Sequence, residues 1–180
     1  MFKSTKMKNI FIINGSTSEN SSNQKIIENF ISSTSQYFKC TVFDELKTLP
    51  HFDPERSIEN TPQEILGFRT EIEKADGIII CTPEYIFSIP SGLKNVLEWC
   101  VSTTIFDGKP LGIITASANG EKGHEELQLI MKTLMTNFNN ETTLLIQGVK
   151  GKVNSEGKII DKVTLQQLEE FIVAYNQLLT

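Results

Sequence analysis

Short apolar runs alternate with amphipathic stretches along this whole chain. Asn9-Ile10-Phe11-Ile12-Ile13, Gly77-Ile78-Ile79-Ile80-Cys81 and Leu111-Gly112-Ile113-Ile114-Thr115 are nearly continuous in apolar residues. Runs without polar alternation fit strands buried on both faces of a parallel sheet. Lys39 to Phe43 and Thr142 to Ile146 predict two further strands. Between the runs, apolar residues recur at helical spacing. Ile26, Ile27, Phe30 and Ile31 form one stripe, and Ile65, Phe68 and Ile72 a second. A third helix is expected from Ser91 to Cys100. Leu127, Ile130, Met131, Leu134, Met135 and Phe138 predict a long fourth helix with Met131 and Met135 in the core. Leu165, Leu168, Ile172, Tyr175 and Leu179 mark the last one. Thr61-Pro62-Gln63-Glu64 predicts a helix start with Thr61 as cap and Glu64 reaching back, and Thr164 with Gln167 predicts another.

Strands alternating with helices imply an α/β fold, a parallel sheet covered on both faces. No internal repeat or linker divides the chain, so residues 1–180 are expected to form one domain. In such sheets ligands bind beyond the carboxyl ends of the strands, which directs attention to the segments after strands one, three and four.

Composition narrows the function classes. The 180 residues are 39% hydrophobic and 22% charged, as in a globular protein. A net charge of −5 and no Lys/Arg-rich run argue against nucleic acid. Cys40, Cys81 and Cys100 form no CxxC and no zinc-type spacing with either histidine. Met1 to Lys8 is basic but lacks the apolar stretch of a secretion signal, and no run approaches the roughly 20 residues that span a bilayer. A cytoplasmic protein without membrane partners is the expectation.

Three loops carry candidate chemistry. Gly15-Ser16-Thr17-Ser18-Glu19-Asn20-Ser21-Ser22-Asn23 leads from a strand into a helix. Its hydroxyls and the first N–H groups of the helix suit a phosphate dianion, though the same composition also serves as an ordinary helix cap. The loop lacks both GxxxxGK[ST] and GxGxxG. Thr82-Pro83-Glu84-Tyr85-Ile86-Phe87-Ser88-Ile89-Pro90 is stiffened by prolines. Its fixed amides suit the polar edge of a flat heterocycle, and its apolar groups either the face of that ring or plain packing. Ala116 to His124 is rich in small residues that let a ligand approach the backbone, or that form a plain turn.

Together these residues resemble the NADPH-dependent FMN reductase family. The family motif G-S-x-R-x-x-S-x-N aligns with Gly15 to Asn23. The motif P-E-Y-N-x-S-x-P-x-x-L-K-N aligns with Pro83-Glu84-Tyr85, Ser88, Pro90 and Leu93-Lys94-Asn95, and Glu98-Trp99 closes the following helix. The resemblance implies a flavodoxin-like three-layer sandwich with sheet order 2-1-3-4-5. It implies FMN, with the phosphate held by Ser16, Ser18, Ser21, Ser22 and Asn23. The isoalloxazine ring would lie against Pro83, Glu84, Tyr85, Ile86, Phe87 and Ser88, with Ser117 and Gly120 at its other edge. It further implies NADPH or NADH as hydride donor, a quinone, an azo compound or free flavin as acceptor, and a homodimer or homotetramer. No protein nucleophile is required, since the flavin carries the chemistry. Two positions depart from the motif: Ser18 stands where the family has an arginine, and Ile86 where it has an asparagine. The first loses a permanently charged bidentate clamp on phosphate. Two other functions stay open: an electron-transfer flavoprotein without direct NAD(P)H chemistry, against which the loop lacks the T-x-T-G-x-T pattern of flavodoxins, and a non-enzymatic module that has lost FMN, which Ser18 and Ile86 keep open.

The remaining residues read as structural. His51 is expected at a surface or interface and His124 as a solvated helix-start residue. Cys81 and Cys100 are expected to be inert core thiols, and Trp99 to pack its helix against a neighbour or a second subunit.

Overall fold

The computed structural model describes residues 7–18 and 20–180. The expectations for Met1 to Lys6 and for Glu19 therefore lie outside the described residues. Five strands form one parallel sheet: β1 (Lys8–Asn14), β2 (Phe38–Phe43), β3 (Gly77–Thr82), β4 (Leu111–Ser117) and β5 (Thr143–Gln147). Their order is β2-β1-β3-β4-β5, the order implied by the resemblance. Register pairs Ile12 with Val42 on one side and with Ile79 on the other.

Helices α1 (Ser22–Thr34) and α5 (Lys162–Leu178) cover one face. Ile26, Ile27, Phe30, Phe171 and Tyr175 bury there against Ile10, Ile12 and Ile79. Helices α2 (Gln63–Lys74), α3 (Ser91–Glu98) and α4 (Glu121–Thr133) cover the other. Phe68, Ile72, Leu93, Val96, Leu127 and Met131 bury there against Phe11, Ile78 and Ile80. Because every residue of β3 is buried, its isoleucines serve both cores at once. Each such side chain contributes about 1.5–3 kcal/mol of burial.

Several local expectations are corrected. Helix α4 stops at Thr133, and Met135 is left-handed (φ 61°) and 55% exposed, so it is not core. Phe138 still packs on the core, but from the returning chain. Thr61 does not cap α2, because its hydroxyl donates to the carbonyls of Arg56 and Ser57. The cap position is Pro62, with no side-chain capping bond. Helix α5 begins earlier than Thr164, capped by Asp161, whose carboxylate accepts from both the N–H and the hydroxyl of Thr164. Both bonds hold the Asp161 pKa below its ordinary value. Leu165 is exposed, and Phe171 takes the buried place instead. Trp99 is fully buried, as expected. Its indole N–H donates to the Pro50 carbonyl at 2.9 Å, and its ring meets Phe52 edge-on.

Candidate functional site

From β1 the chain steps to β2 on one side, and from β2 it crosses back to β3 on the other side of β1. The carboxyl ends of β1 and β3 therefore flank the switch point of the sheet, where a crevice opens. Gly15 turns the chain out of β1 there, its N–H donating to the Cys81 carbonyl at 2.8 Å. A Cβ at Gly15 would lie 2.3 Å from Thr82 Oγ1, so no larger residue fits this path.

Beyond Gly15 the loop is ordered by its own polar groups. Asn14 Oδ1 accepts from Ser16 N–H at 3.0 Å, and Ser16 Oγ accepts from Ser18 N–H at 3.4 Å. Asn20 takes the left-handed conformation that asparagine tolerates (φ 55°). Ser21 is the N-cap of α1, its hydroxyl accepting from Gln24 N–H at 3.1 Å. The N–H groups of Ser22 and Asn23 precede the first intrahelical bonds and put backbone donors and the positive end of the helix dipole at this point. The Asn23 side chain has a structural role. Its amide donates to the Ala116 carbonyl at 3.1 Å, and its Oδ1 accepts from the Cys81 thiol at 3.4 Å, fastening α1 to β4 and β3.

The loop after β3 is a tight hairpin. Tyr85 and Ser88 exchange backbone bonds of 2.9 and 3.1 Å, with Ile86 (φ 50°) and Phe87 (φ 60°) between them. Left-handed backbone at both central positions favours Asn-Gly, and a β-branched residue there is strained. Ile86 is 93% exposed, so no packing offsets the strain. Ile86→Asn should therefore raise stability by about 1 kcal/mol. Urea denaturation checks this, the expected result being a higher midpoint at unchanged slope.

Two carboxylates fix this hairpin to α4. Glu84 Oε1 accepts from Gly120 N–H at 3.3 Å, and Oε2 from Gly123 N–H at 2.8 Å. Gly120, the N-cap of α4, has φ 91° and fits only without a side chain. Glu126, one turn further on, accepts from Ser88 Oγ at 2.6 Å and from Ile89 N–H at 3.0 Å. The loops after β3 and β4 are thus one tied unit. Ser117 Oγ adds a bond to the Glu84 carbonyl at 3.4 Å.

The three loops enclose a cavity of about 590 Å³, within the size range of small-molecule and cofactor sites. Ser16, Ser18, Ser21, Ser22 and Asn23 form one wall, and Pro83, Glu84, Tyr85 and Ser117 face them. Ile86, Phe87, Ser88 and Gly120 lie outside the wall, the first two on the exposed tip of the hairpin. The structure also brings in residues that sequence reasoning missed. Asn20, Ala116 and Ala118 complete the loops, and Gly148, Val149 and Lys150 enter from the end of β5. A glycine and a lysine directly after a strand's carboxyl end were the available signal. Polar donors at one end, a tied hairpin at the other and a glycine-made close approach fit an elongated phosphorylated heterocycle such as FMN.

His124 is not a solvated residue. It is half-buried, and its Nδ1 pairs with Thr115 Oγ1 at 2.8 Å. Burial lowers its pKa below the ordinary imidazole value, against the opposing charge of Glu125. It stands beneath the third loop rather than in the cavity wall. Cys81 and Cys100 are buried and their thiols are pushed up by burial, Cys100 to about 12, which agrees with inert core groups. His51 is exposed. Among the described residues no cluster of ligating side chains could hold a metal ion.

Residues 8–148 match the family described as NADPH-dependent FMN reductase. The chain belongs to this family. FMN and reduced nicotinamide are accordingly its cofactors, and it is an oxidoreductase acting on a small-molecule acceptor. Among its relatives, the NADH:(hydroxy)cinnamate reductase subunit CrdA of Vibrio ruber is 29% identical, the match covering 96% of this chain and 89% of that one. A quinone reductase of Escherichia coli is also 29% identical, over 72% of each chain. The fold is shared with FerB, a flavoenzyme NAD(P)H:(acceptor) oxidoreductase from Paracoccus denitrificans. Its TM-score is 0.85 at 21% identity, over 96% of this chain and 97% of that one. No helix among the described residues is long and apolar enough to cross a membrane.

Proposed function

We propose that residues 1–180 act as one FMN-binding domain that reduces quinones at the expense of NADPH or NADH, with azo compounds and free flavin as further acceptors. The observation that carries this reading is the cavity at the β1/β3 switch point, with helix N–H groups at one end and the tied hairpin at the other. FMN, when bound, supplies the transfer of two electrons from reduced nicotinamide to the acceptor. The chain's own residues bind and orient. Ser16, Ser18, Ser21 and Ser22 offer hydroxyls to the phosphate, and the Ser22 and Asn23 backbone offers N–H groups. Pro83, Glu84 and Tyr85 border the ring, Ser117 lies at its far edge, Gly120 holds Glu84 in place through its N–H, and Ser88 is locked by Glu126.

The hairpin tip also bears on assembly. Tyr85, Ile86 and Phe87 are 49%, 93% and 72% exposed, an apolar edge beside the cavity that a second subunit would cover. A homodimer or homotetramer is therefore part of the proposal, as is a cytoplasmic location, which the three unpaired cysteines support.

The test is a visible spectrum of the protein after FMN loading and gel filtration, recorded anaerobically before and after NADPH. A yellow protein bleached by NADPH or NADH is the expected result. A yellow protein bleached only by a protein donor makes it an electron carrier. A protein that binds no FMN at all, by titration as well as on the column, is a module without flavin.

A further inference from the structure

We propose that Lys150 is the cation that clamps the FMN phosphate, in the place left by Ser18; this rests on the FMN reading above. A phosphate dianion brought to a helix N-terminus is held more tightly by a charge-assisted bond from a cationic side chain. The phosphate loop supplies hydroxyls and N–H groups but no cation among its described residues. Among the described residues lining the cavity just two carry a charge at neutral pH. One is Glu84, whose oxygens are already committed to Gly120 and Gly123. The other is Lys150.

The backbone beneath Lys150 is well placed for the role. After β5, Gly148 turns in the left-handed conformation (φ 61°), and its N–H donates to the Ala118 carbonyl at 3.0 Å. Val149 then buries in the core. Lys150 follows within a short 3-10 turn at Val149–Gly151, exposed and with its backbone anchored on both counts. The segment beyond it packs along α1. Lys25 Nζ reaches the Asn154 carbonyl at 3.4 Å, and Asn29 Nδ2 the Gly157 carbonyl at 2.7 Å. These contacts hold the β5 loop against the helix whose N-terminus forms the anion end. They also occupy Lys25, the cation on α1 itself. Lys150 forms no ion pair with any described residue. Lys47 reaches the phosphate loop from the opposite side, but it shares its cavity with Asp44 and Glu45, which offset its charge.

The test compares FMN with riboflavin, which lacks the phosphate, by titrating apoprotein into each and following flavin fluorescence at low and moderate salt. Wild type should prefer FMN. Lys150→Ala should cut that preference about tenfold and flatten its salt dependence while leaving the riboflavin Kd unchanged. Lys150→Arg should keep the preference, and so should Lys47→Ala. The proposal is overturned if Lys150→Ala retains the full preference, or weakens both flavins equally. It is also overturned if wild type does not discriminate, in which case FMN binding itself survives. If wild type binds neither flavin, the FMN reading falls and Lys150 falls with it.

Discussion

Glu84→Ala should lower stability by about 2–3 kcal/mol and weaken FMN binding about tenfold or more. The carboxylate accepts from two buried backbone amides, those of Gly120 and Gly123, at the N-terminus of α4. A hydrogen bond to a charged group contributes about 1.5–3 kcal/mol, and a buried donor left without a partner costs about 1–3 kcal/mol. The negative charge also complements the helix end. Removing it frees the β3 hairpin from α4 on the cavity side and leaves Glu126 as the remaining side-chain tie to α4. Glu84→Gln keeps one acceptor oxygen and should fall between the two. Urea denaturation with and without FMN separates the effects, since bound ligand adds stability in proportion to its affinity. An unchanged midpoint in Glu84→Ala would mean that water replaces the carboxylate and that the tie is not what holds the loop.

The second large effect is expected at Gly15. An alanine methyl would lie 2.3 Å from Thr82 Oγ1, 2.6 Å from Thr82 Cβ and 3.1 Å from Thr82 Cα. Thr82 is fully buried and β-branched, so it has little freedom to rotate away. The backbone must move instead, spreading the ends of β1 and β3 where the phosphate loop departs. Gly15→Ala should cost about 3 kcal/mol, at the upper end for overpacking, and should abolish measurable FMN retention on a gel-filtration column. Thr82→Gly in the Gly15→Ala background should recover part of both losses, a coupling that a double-mutant cycle reads directly. Additive effects would sink the explanation.

The three central strands of the sheet, β1, β3 and β4, were legible because they are buried on both faces and so carry nearly unbroken Ile-rich runs. β3 is the clearest case, six residues without one exposed. The end of α4 was not legible. Met135 and Phe138 continue the helical spacing beyond Thr133 by coincidence, since the chain breaks at a left-handed Met135 and Phe138 re-enters the core from a different direction. The caps failed for a related reason. A hydroxyl near a helix start can be spent elsewhere: Thr61 donates to the Arg56 and Ser57 carbonyls, and Thr164, already inside α5, donates both its N–H and its hydroxyl to Asp161.

The site divides in the same way. The cavity-lining stretches within Gly15 to Asn23 and at Pro83 to Tyr85 were visible in the sequence because loops at a switch point carry distinctive glycine, proline and hydroxyl residues, whereas Ile86, Phe87 and Ser88 lie outside the wall. The ties from Glu126 and the approach of Lys150 did not, because each joins positions far apart in the chain, 38 residues for Ser88 and Glu126. Nothing local marks a surface glutamate on α4 as different from its neighbours Glu121 and Glu125. Asn23 does line the cavity, but nothing in the sequence announces that its side chain is committed to Ala116 and Cys81.

The paired ties between the hairpin and α4 bear on motion as well as on shape. Because Glu84 on one flank of the turn accepts from Gly120 and Gly123 at the start of α4, and Glu126 of α4 accepts from Ser88 and Ile89 on the other flank, the turn has no independent hinge. Its backbone amides should open to solvent on the timescale of α4 rather than on that of a free loop. The strained tip at Ile86 and Phe87 is then carried as a fixed projection, offered in one orientation to whatever approaches the cavity mouth.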